Sequence, residues 1–325
     1  MSSNKIKFAI VGCGHIGKRH AAVIERNEDA ELVALCDVLE KESLNLENYN
    51  VPFFSTIDEL LTNAVEFDVL CIATPNGLHE EHALKGLRSG HHVVIEKPMA
   101  LTKRGCENII HESLKQQRQV FCVMQNRFSP LAFWLKEMID KKVLGEIYMV
   151  QANCYWNRDE RYYTGKTWHG TNELDGGVLF TQFSHFIDMI YWLFGDIENI
   201  NSRFANFNHQ RLTQFDDSGF VNFEFVNGGI GSINFSTSVW GENLESSLTV
   251  IGEAGTVRIA GQYMNDLQVC NLKIGTRPEF AVDEETNHDR FMKHVVRCIS
   301  TNTADETASN SVRVVDIIER IIAAG

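Results

Sequence analysis

The amino-acid sequence predicts an α/β domain with a doubly wound parallel sheet, followed by an α+β domain with an open-faced, mostly antiparallel sheet. Short apolar strands alternate with helix-length segments in the first third of the chain, which is typical of a parallel sheet covered by helices. A glycine-rich turn directly follows the first strand. Beyond Met124 the strands lengthen and a hairpin turn appears, so we place the boundary there, between domains of residues 1–124 and 125–325.

Composition and charge restrict the class of protein. The chain has 325 residues, of which 44% are hydrophobic and 22% are charged, enough for two ordinary globular domains. Its formal net charge of −13 argues against nucleic acid as a partner, since binding phosphates requires clustered Lys and Arg. No apolar run approaches the roughly 20 residues that span a bilayer, so we predict no membrane partner.

The N-terminus and the cysteines predict a reduced, soluble, cytoplasmic protein. The first residues lead straight into a strand, without the apolar region of a signal peptide. The eight cysteines are scattered, and no C-x-x-C pair occurs among them. Cys71 and Cys122 lie in apolar runs, where buried free thiols are the usual state.

The first strand, residues 5–11, ends in the motif Gly12-x-Gly14-x-x-Gly17, and a helix-like segment covers residues 18–26. Such glycines allow a tight turn and let a pyrophosphate approach the helix N-terminus, where free N–H groups and the helix dipole favour an anion. The motif predicts a dinucleotide site, and a plain glycine turn between strand and helix is the alternative. The predicted cofactor contacts in this turn are Gly12, Gly14, His15, Ile16 and Gly17.

The second strand, residues 31–37, ends in an acid that bears on the choice of cofactor. Asp37 lies about 20 residues after Gly17, the spacing expected of an acid that binds a ribose 2′-OH. An aspartate there repels a 2′-phosphate, and Lys41 is the only nearby cation, so we predict NAD rather than NADP. The alternative role for Asp37 is the N-cap of a following helix.

The alternation continues through the first domain, with helices predicted over residues 57–63, 80–89 and 103–117, and strands over residues 67–73, 91–95 and 119–124. Ligands of such sheets bind beyond the carboxyl ends of the strands. The loops at those ends supply the further predicted cofactor contacts Thr74, Asn76, His79, Glu96 and Lys97. His79 and His82 lie three residues apart rather than four, so they do not match a zinc-binding helix, and we predict no metal site.

The stretch Glu96-Lys97-Pro98 ends an apolar strand. A lysine in that position is costly to bury, so we expect Lys97 to serve chemistry rather than stability. Glu96 orients Lys97 in this interpretation, and an acid that caps backbone N–H groups is the alternative. Only about 5–6% of X-Pro bonds in folded proteins are cis, so a cis bond before Pro98 stays an open expectation.

The second domain begins with a helix over residues 131–141 and a long strand over residues 146–156. Residues 220–226 and 230–239 form a hairpin. Further strands are predicted over residues 247–251, 256–260 and 267–274, and a final helix over residues 312–323. Strand 230–239 alternates apolar and polar side chains, and a sheet with one polar face commonly meets solvent or another subunit.

The stretch from Asp175 to Gly195 is the most informative part of this domain. Apolar residues recur there at helical spacing, and Gly195 fits a C-terminal cap. Thr181, His185 and Asp188 recur at i, i+4 and i+7, so they share one face of the predicted helix. A histidine on a packed helix is more often a satisfied core residue than a catalyst, so both roles of His185 stay open at this point.

Several of these motifs together resemble the Gfo/Idh/MocA oxidoreductase family. They are the glycine turn, Ala73-Thr74-Pro75-Asn76-x-x-His79, Glu96-Lys97-Pro98, and Gly176-Gly177 with His185-x-x-Asp188. The resemblance covers nearly the whole chain, and Glu96-Lys97-Pro98 is its most specific mark. It implies a Rossmann domain joined to an open-faced sheet domain, hydride transfer between a nicotinamide and a carbohydrate hydroxyl, and a homodimer or homotetramer formed through the open sheet.

Within that family, the chain looks most like the branch that oxidises C3 of UDP-N-acetyl-2-amino-2-deoxyglucuronate in the synthesis of surface-polysaccharide precursors. The similarity lies in residues 125–127, 155–158, 162–163 and 168–171. Thr181 stands where many members have Asp, and His169 stands where the branch often has Arg, so the substrate stays open. Members usually extend beyond a helix such as 312–323, so the end at Gly325 suggests truncation or divergence.

The resemblance also implies roles for single residues. Lys97 and His185 are the implied catalytic residues, where Lys97 holds the reacting oxygen and His185 takes or relays its proton. Asp188 is expected to fix the His185 tautomer, with an ordinary helix contact as the alternative. Gln125, Trp168 and His169 join the predicted cofactor contacts, and the predicted substrate contacts are Lys97, Arg127, Tyr163, Thr181 and His185. Arg158, Arg161 and Lys166 are further candidates to bind a carboxylate or diphosphate, with a solvated loop as the alternative.

Three other functions stay open at the level of sequence. One is a dehydrogenase of inositol or another sugar. Another is an NAD-dependent glycoside hydrolase, which uses the same oxidation transiently and releases a free monosaccharide. The third is a non-catalytic NAD-binding regulator, against which the presence of both Lys97 and His185 counts.

Overall fold

The computed structural model describes residues 5–165, 168–280 and 284–325. The chain divides into two compact units, one of Met1–Val123 with His288–Val312 and one of Met124–Asn287 with Arg313–Gly325. The return of 288–312 to the first unit is not indicated by any pattern in the sequence. The domain boundary after residue 124 stays a prediction.

The first unit is built on a parallel sheet. In the described residues its strands are β1 (Ile6–Val11), β2 (Ala30–Cys36), β3 (Phe53–Phe54), β4 (Val69–Ile72), β5 (His92–Ile95) and β6 (Val120–Cys122). They lie in the order β3-β2-β1-β4-β5-β6, and each neighbouring pair is parallel. This is the strand order of the doubly wound dinucleotide-binding fold, so the predicted α/β class is confirmed.

Helices cover this sheet because their apolar stripes need a partner. Along the chain they are α1 (His15–Arg26), α2 (Ile57–Thr62), α3 (His79–Arg88) and α4 (Lys103–Gln116). Thr56 and Thr102 accept backbone N–H groups at the starts of α2 and α4, which fixes where those helices begin. All four residues of β4 are buried, as expected for a strand with both faces covered.

The second unit contains a mixed sheet. Its described strands are β7 (Ile147–Tyr155), β8 (Ile197–Ala205), β9 (Ser218–Phe225), β10 (Ile230–Ser236), β11 (Glu245–Gly252), β12 (Gly255–Ala260) and β13 (Asp266–Leu272). They lie in the order β13-β12-β11-β7-β10-β9-β8, and among these pairs β7 and β10 are parallel while the others are antiparallel. The prediction of a mostly antiparallel sheet is confirmed.

The two faces of this sheet differ in chemistry. Ile233 and Phe235 of β10 are buried on one face. Asn234 lies on the other face, where its Nδ2 donates to Asn153 Oδ1 of β7 at 3.0 Å. The alternation seen in the sequence is therefore the alternation of a sheet with one apolar and one polar face.

The helices of the later chain complete the fold. They are α5 (Pro130–Asp140), α6 (Glu160–Tyr163), α7 (Val178–Thr181), α8 (Ser184–Phe194), α9 (Asn287–Thr301) and α10 (Thr307–Ala323). None of the helices in the described part of the chain is both long enough and apolar enough to cross a membrane.

One predicted helix is wrong in its continuity. The helical spacing of apolar residues between Asp175 and Gly195 predicts one continuous helix, but the backbone leaves the α-helical hydrogen-bond pattern after α7, and the N–H groups of Gln182 and Phe183 both donate to Val178 O. Helix α8 begins afresh at Ser184. Thr181 therefore does not share a helix face with His185 and Asp188, although those two residues do lie on α8.

Candidate active site

The glycine turn after β1 is shaped to admit a dinucleotide. A Cβ added at Gly17 would lie 1.9 Å from Gly12 O, and one added at Gly12 would lie 2.5 Å from the Ala73 carbonyl carbon. At Gly14, by contrast, an added Cβ would meet nothing within 4 Å. The turn is thus closed toward the protein and open at the N-terminus of α1, where no side chain of the described residues caps the helix. This geometry fits a pyrophosphate bound at the helix N-terminus.

The acid at the end of β2 contacts this turn. Asp37 Oδ2 accepts the Cys13 N–H at 2.6 Å, and Oδ1 accepts the Leu39 N–H at 2.9 Å. Lys41 Nζ, the nearby cation, donates instead to the backbone carbonyls of Tyr49 and Val51. A carboxylate beside the turn, with the lysine turned to backbone carbonyls, fits a free ribose 2′-OH better than a 2′-phosphate.

The loop after β4 is fastened to the loop after β5 through His79. This residue is fully buried, with Nδ1 2.7 Å from Pro98 O and Nε2 2.8 Å from Thr74 O. Burial lowers the pKa of His79. The ring therefore links two loops at the carboxyl edge of the sheet, and its predicted contact with the cofactor stays a prediction. The peptide bond between Lys97 and Pro98 is cis.

Glu96 is the first residue of the loop after β5, and its side chain is buried. Its Oε1 is 2.8 Å from His20 Nε2, and its Oε2 accepts the Lys97 backbone N–H at 3.2 Å. Burial alone would raise the pKa of Glu96, but the hydrogen bond and charge of His20, with the charges of His288 and Lys97, lower it to about 2. The acid is therefore held ionised and bonded to the backbone of the lysine beside it.

The remaining predicted contacts of the first unit lie around the same edge. His15 is exposed in the first turn of α1 and its Nε2 lies 3.3 Å from Arg19 Nη2, while Ile16 is half-buried. Asn76 is buried in a 3₁₀ turn just before α3. These positions agree with the expected edge of the sheet, and their contacts with a cofactor stay predictions.

In the second unit, His185 is buried on α8 beside Gln125. The side-chain amide Nε2 of Gln125 lies 2.8 Å from His185 Nε2. The contact between the amide and the buried ring holds His185 at a fixed position on α8. Gln125 thus orients His185, and its predicted contact with the cofactor stays a prediction.

Asp188 pairs with Arg127. Its carboxylate accepts two hydrogen bonds, from Nε of Arg127 at 2.9 Å and from Nη2 at 2.5 Å. The side chain of Asp188 is fully buried, and that of Arg127 is 7% exposed. The expectation that Asp188 fixes the tautomer of His185 is thus replaced by a buried bidentate ion pair. The same pair gives Arg127 a structural role, and its contact with substrate stays a prediction.

An aromatic cluster surrounds Arg158. Its guanidinium carbon lies 4.7 Å from the ring centre of Trp156 and 5.1 Å from that of Tyr162. Its Nη1 donates to Asn157 O and to Asn243 Oδ1. No carboxylate pairs with Arg158 anywhere in the described residues, and its Nε is buried without a hydrogen-bond partner there. Burial lowers the pKa of Arg158, although the guanidinium stays charged at neutral pH.

Other predicted site residues continue this cluster. Trp168 and His169 meet edge to face with ring centres 3.9 Å apart, and the His169 ring lies 4.4 Å from that of Tyr162. Tyr163 is buried with its ring 5.2 Å from that of His209, and burial raises its pKa. Arg161 pairs with Asp159 on the surface, and Lys166 lies outside the described residues.

Thr181 is bound to its own chain segment. Its hydroxyl donates to the Asp175 carboxylate and lies 2.9 Å from Asp175 O. The hydroxyl therefore stabilises the turn that carries Gly176 and Gly177, both of which have positive φ angles. A substrate contact of Thr181 stays a prediction.

Two histidines of the site were missed by the sequence reasoning, namely His20 and His288. His20 lies three residues after Gly17 on the buried face of α1, a spacing that a helical projection would have revealed. His288 comes from α9, and no local pattern in the sequence indicates that this residue lies in the first unit. Among the described residues, no group of three or more His, Cys, Asp or Glu could hold a metal ion.

Two family models match the chain. Residues 6–124 match the model of an oxidoreductase family with an NAD-binding Rossmann fold, and residues 134–258 match the GFO/IDH/MocA C-terminal domain. A curated relative, the D-glucoside 3-dehydrogenase of Escherichia coli, is 29% identical over 253 residues, which are 71% of this chain and 70% of the relative.

Two solved structures are similar over almost their full length. The WlbA dehydrogenase of Bordetella pertussis, in complex with NADH and UDP-GlcNAcA, has a TM-score of 0.89 at 30% identity, covering 98% of this chain and 96% of its own. The WlbA dehydrogenase of Chromobacterium violaceum, with the same two ligands, has a TM-score of 0.88 at 28% identity, covering 100% and 94%.

Proposed function

The chain belongs to the Gfo/Idh/MocA oxidoreductase family, and we propose that it oxidises the C3 hydroxyl of UDP-N-acetyl-2-amino-2-deoxyglucuronate (UDP-GlcNAcA) with NAD. At the coarser level the protein is an NAD-binding sugar oxidoreductase, since both family domains match and relatives are sugar dehydrogenases. The observation that carries the finer proposal is the likeness, at 28–30% identity, to two dehydrogenases in complex with NADH and UDP-GlcNAcA.

The cofactor is held, in this proposal, at the carboxyl edge of the parallel sheet. Gly12, Gly14 and Gly17 supply the turn for the pyrophosphate, and Asp37 is the acid for the adenosine ribose. Val38 and Leu39, which are 87% and 56% exposed, offer apolar surface beside Asp37 for the adenine ring. When bound, the nicotinamide accepts the hydride that leaves C3.

Side chains of the protein remove the proton of the C3 hydroxyl. We assign Lys97 to hold the hydroxyl oxygen and His185 to take or relay its proton. The support from the structure is local: Glu96 and His79 fix the chain on both sides of Lys97, and Gln125 fixes the ring of His185. Residues whose geometry is set before substrate arrives are what general acid–base catalysis requires.

Arg158 is proposed to recognise a negative group of the substrate. A guanidinium held between two aromatic rings keeps a fixed direction, and one without a carboxylate partner retains its charge for a ligand. Carboxylates and phosphates are the anions that a guanidinium binds best. UDP-GlcNAcA carries both, whereas a free neutral sugar carries neither.

Replacing Arg158 by leucine is therefore expected to raise KM for UDP-GlcNAcA by about tenfold or more, the loss of one charge-assisted contact. KM for NAD should change less than twofold. The matched control is Arg161→Leu, because Arg161 is 80% exposed and pairs with Asp159. Equal KM for the sugar in wild type and Arg158→Leu would remove Arg158 from substrate recognition.

A panel of substrates tests the proposed function. NADH formation is measured with UDP-GlcNAcA, UDP-N-acetylglucosamine, D-glucose and myo-inositol, each with and without 2-oxoglutarate as an acceptor that recycles the cofactor. We expect turnover with UDP-GlcNAcA. Turnover with D-glucose or a glucoside instead would favour the second candidate, a simple sugar 3-dehydrogenase, which the 29% identity to the D-glucoside 3-dehydrogenase supports.

We also propose that the polar face of the second sheet joins copies of this chain into a dimer or tetramer. Its support is the polar ladder that includes Asn153 and Asn234, with the exposed apolar side chains Met149 and Ile230 at one end. A polar face with apolar margins is suited to subunit contact. Light scattering that gives the mass of one chain would contradict it.

A further inference from the structure

A buried cluster of two histidines and one carboxylate is joined to the backbone of Lys97. His20 of α1 is 2% exposed, Glu96 is 7% exposed, and His288 of α9 is 3% exposed. His20 Nε2 is 2.8 Å from Glu96 Oε1, and the rings of His20 and His288 meet edge to face with centres 6.1 Å apart. Burying three ionisable groups together is costly, so the cluster calls for a reason beyond packing.

Hydrogen bonds connect His20 to Lys97 through the carboxylate of Glu96. His20 donates to one oxygen of Glu96, and the other oxygen of Glu96 accepts the backbone N–H of Lys97. His20 Nδ1 has no hydrogen-bond partner in the described part of the chain, so Nε2 is the ring nitrogen that donates, and its acceptor is Glu96. Both oxygens of Glu96 are thus used, one for His20 and one for Lys97.

We propose that His20 is a positioning residue for the sugar oxidation: by holding Glu96 as a carboxylate next to Lys97, it sets both the orientation and the charge state of that lysine. The proposal deepens the function proposed above and rests on the role assigned there to Lys97. Helix α1 therefore has two roles in the proposal. Its N-terminus, next to the glycine turn, binds the cofactor, and His20, about one turn further along, positions Lys97 through Glu96.

The electrostatics agree with this geometry. The pKa of Glu96 is lowered to about 2, so the acid is charged at neutral pH. Burial lowers the pKa of His288 to about 4, so this neighbour is neutral there. A neutral His288 leaves the negative charge of Glu96 to act on Lys97, and a neighbouring negative charge stabilises the protonated form of an amine.

Several ionisable groups of the described residues face the cluster. Glu96 is met by His20 from α1, His288 from α9, His79 from α3, the thiol of Cys71 from β4, and Lys97. His288 is further flanked by Arg19 and Asp289, which act on it in opposite directions. Of these groups, His20 and Lys97 are the ones joined to Glu96 by hydrogen bonds in the described residues.

Two substitutions of His20 separate positioning from packing. His20→Gln keeps an N–H donor close to the position of Nε2, and His20→Leu keeps volume but removes the donor. Glu96→Gln removes the charge itself. His111→Gln, at an exposed position of α4, is the matched control for the loss of a histidine.

The readout is the titration of Lys97, which needs no sugar. Lysines are labelled by reductive ¹³C-methylation, the Lys97 signal is assigned with Lys97→Met, and its pKa is followed by NMR. In Glu96→Gln we expect the Lys97 pKa to fall by about one unit, because a neighbouring negative charge is lost. His20→Leu should shift it in the same direction, because without His20 burial raises the pKa of Glu96. His20→Gln and His111→Gln should stay close to wild type.

Non-additivity is the decisive result. If His20 acts through Glu96, His20→Leu should cause no further shift in the Glu96→Gln background. An unchanged Lys97 pKa in His20→Leu, or an equal further shift in the double variant, would overturn the proposal. Should His20→Leu fail to fold, His20→Asn, whose amide is too short to reach Glu96, takes its place with the same expected shift.

Turnover separates this inference from the proposed function. With UDP-GlcNAcA as substrate, the limb of the kcat/KM profile against pH that reports Lys97 should move to lower pH in His20→Leu, with kcat lowered about tenfold or more. A coupled Lys97 titration in a protein that oxidises no sugar would support the positioning role and count against the proposed function. An active enzyme in which the Lys97 pKa does not change in His20→Leu would support the proposed function and count against the positioning role.

Discussion

Replacing Lys97 by methionine is expected to lower kcat with UDP-GlcNAcA by at least about 100-fold, which is about 2.7 kcal/mol in the barrier. Methionine keeps the length and much of the volume of the side chain but provides no group that can hold the hydroxyl oxygen or exchange its proton. NAD affinity and Tm should stay close to wild type, because the glycine turn and the backbone contacts of the loop do not involve the amine.

The control is Lys115→Met on α4, an exposed lysine whose partner Glu112 lies 3.8 Å away. Its turnover should equal that of wild type. Turnover of Lys97→Met within a factor of three of wild type, from a protein that still binds NAD, would exclude Lys97 from the proton chemistry.

Replacing Asp188 by alanine is expected to lower the free energy of unfolding by about 3–5 kcal/mol, the usual cost of leaving one member of a buried ion pair alone. Arg127 would keep its charge while only 7% exposed, and the two hydrogen bonds from Nε and Nη2 would be lost. Urea denaturation followed by tryptophan fluorescence measures the change.

Two further variants sharpen that measurement. Asp159→Ala removes the acid of the exposed Arg161 pair and should cost less than about 1 kcal/mol. The double variant Arg127→Met/Asp188→Leu removes both buried charges and should recover much of the lost stability. A loss below about 1 kcal/mol in Asp188→Ala would mean that water reaches Arg127 and that the pair is not buried in solution.

The strands and turns of the first unit are predicted well by the sequence because their signals are local. The glycine motif, the acid after β2 and the loops after β4 and β5 are each short patterns next to an apolar strand. Parallel strands bring these loops to one edge by topology alone, so the predicted cofactor edge needs no long-range information. The doubly wound sheet, the family and the use of NAD are confirmed.

The second unit shows where local patterns fail. Strand β8 was missed because a register shift between Glu198 and Asn201, where Asn199 has a φ of 51°, breaks the alternation by which a strand is recognised. The break between α7 and α8 was missed because apolar residues continue at helical spacing through Phe183. Spacing reports which face is apolar, not whether the backbone is continuous.

The sequence also does not show which side chains form hydrogen bonds and ion pairs with one another. Asp188 lies three residues after His185 on α8, so a local contact was the natural expectation, yet its carboxylate binds Arg127, 61 positions earlier in the chain. His20 and Glu96 are 76 positions apart. Pairings over such separations depend on how the elements pack, and no periodicity of the single chain encodes them.

Hydride transfer from C3 is the central claim, and isotope transfer tests it most directly. UDP-GlcNAcA carrying deuterium at C3 is mixed with stoichiometric enzyme and NAD for a single turnover, and the extracted cofactor is analysed by mass spectrometry. The account predicts NADH that is one mass unit heavier than the NADH formed from unlabelled sugar. NADH without deuterium, or labelled sugar recovered unchanged from enzyme with bound NAD, would contradict oxidation at C3.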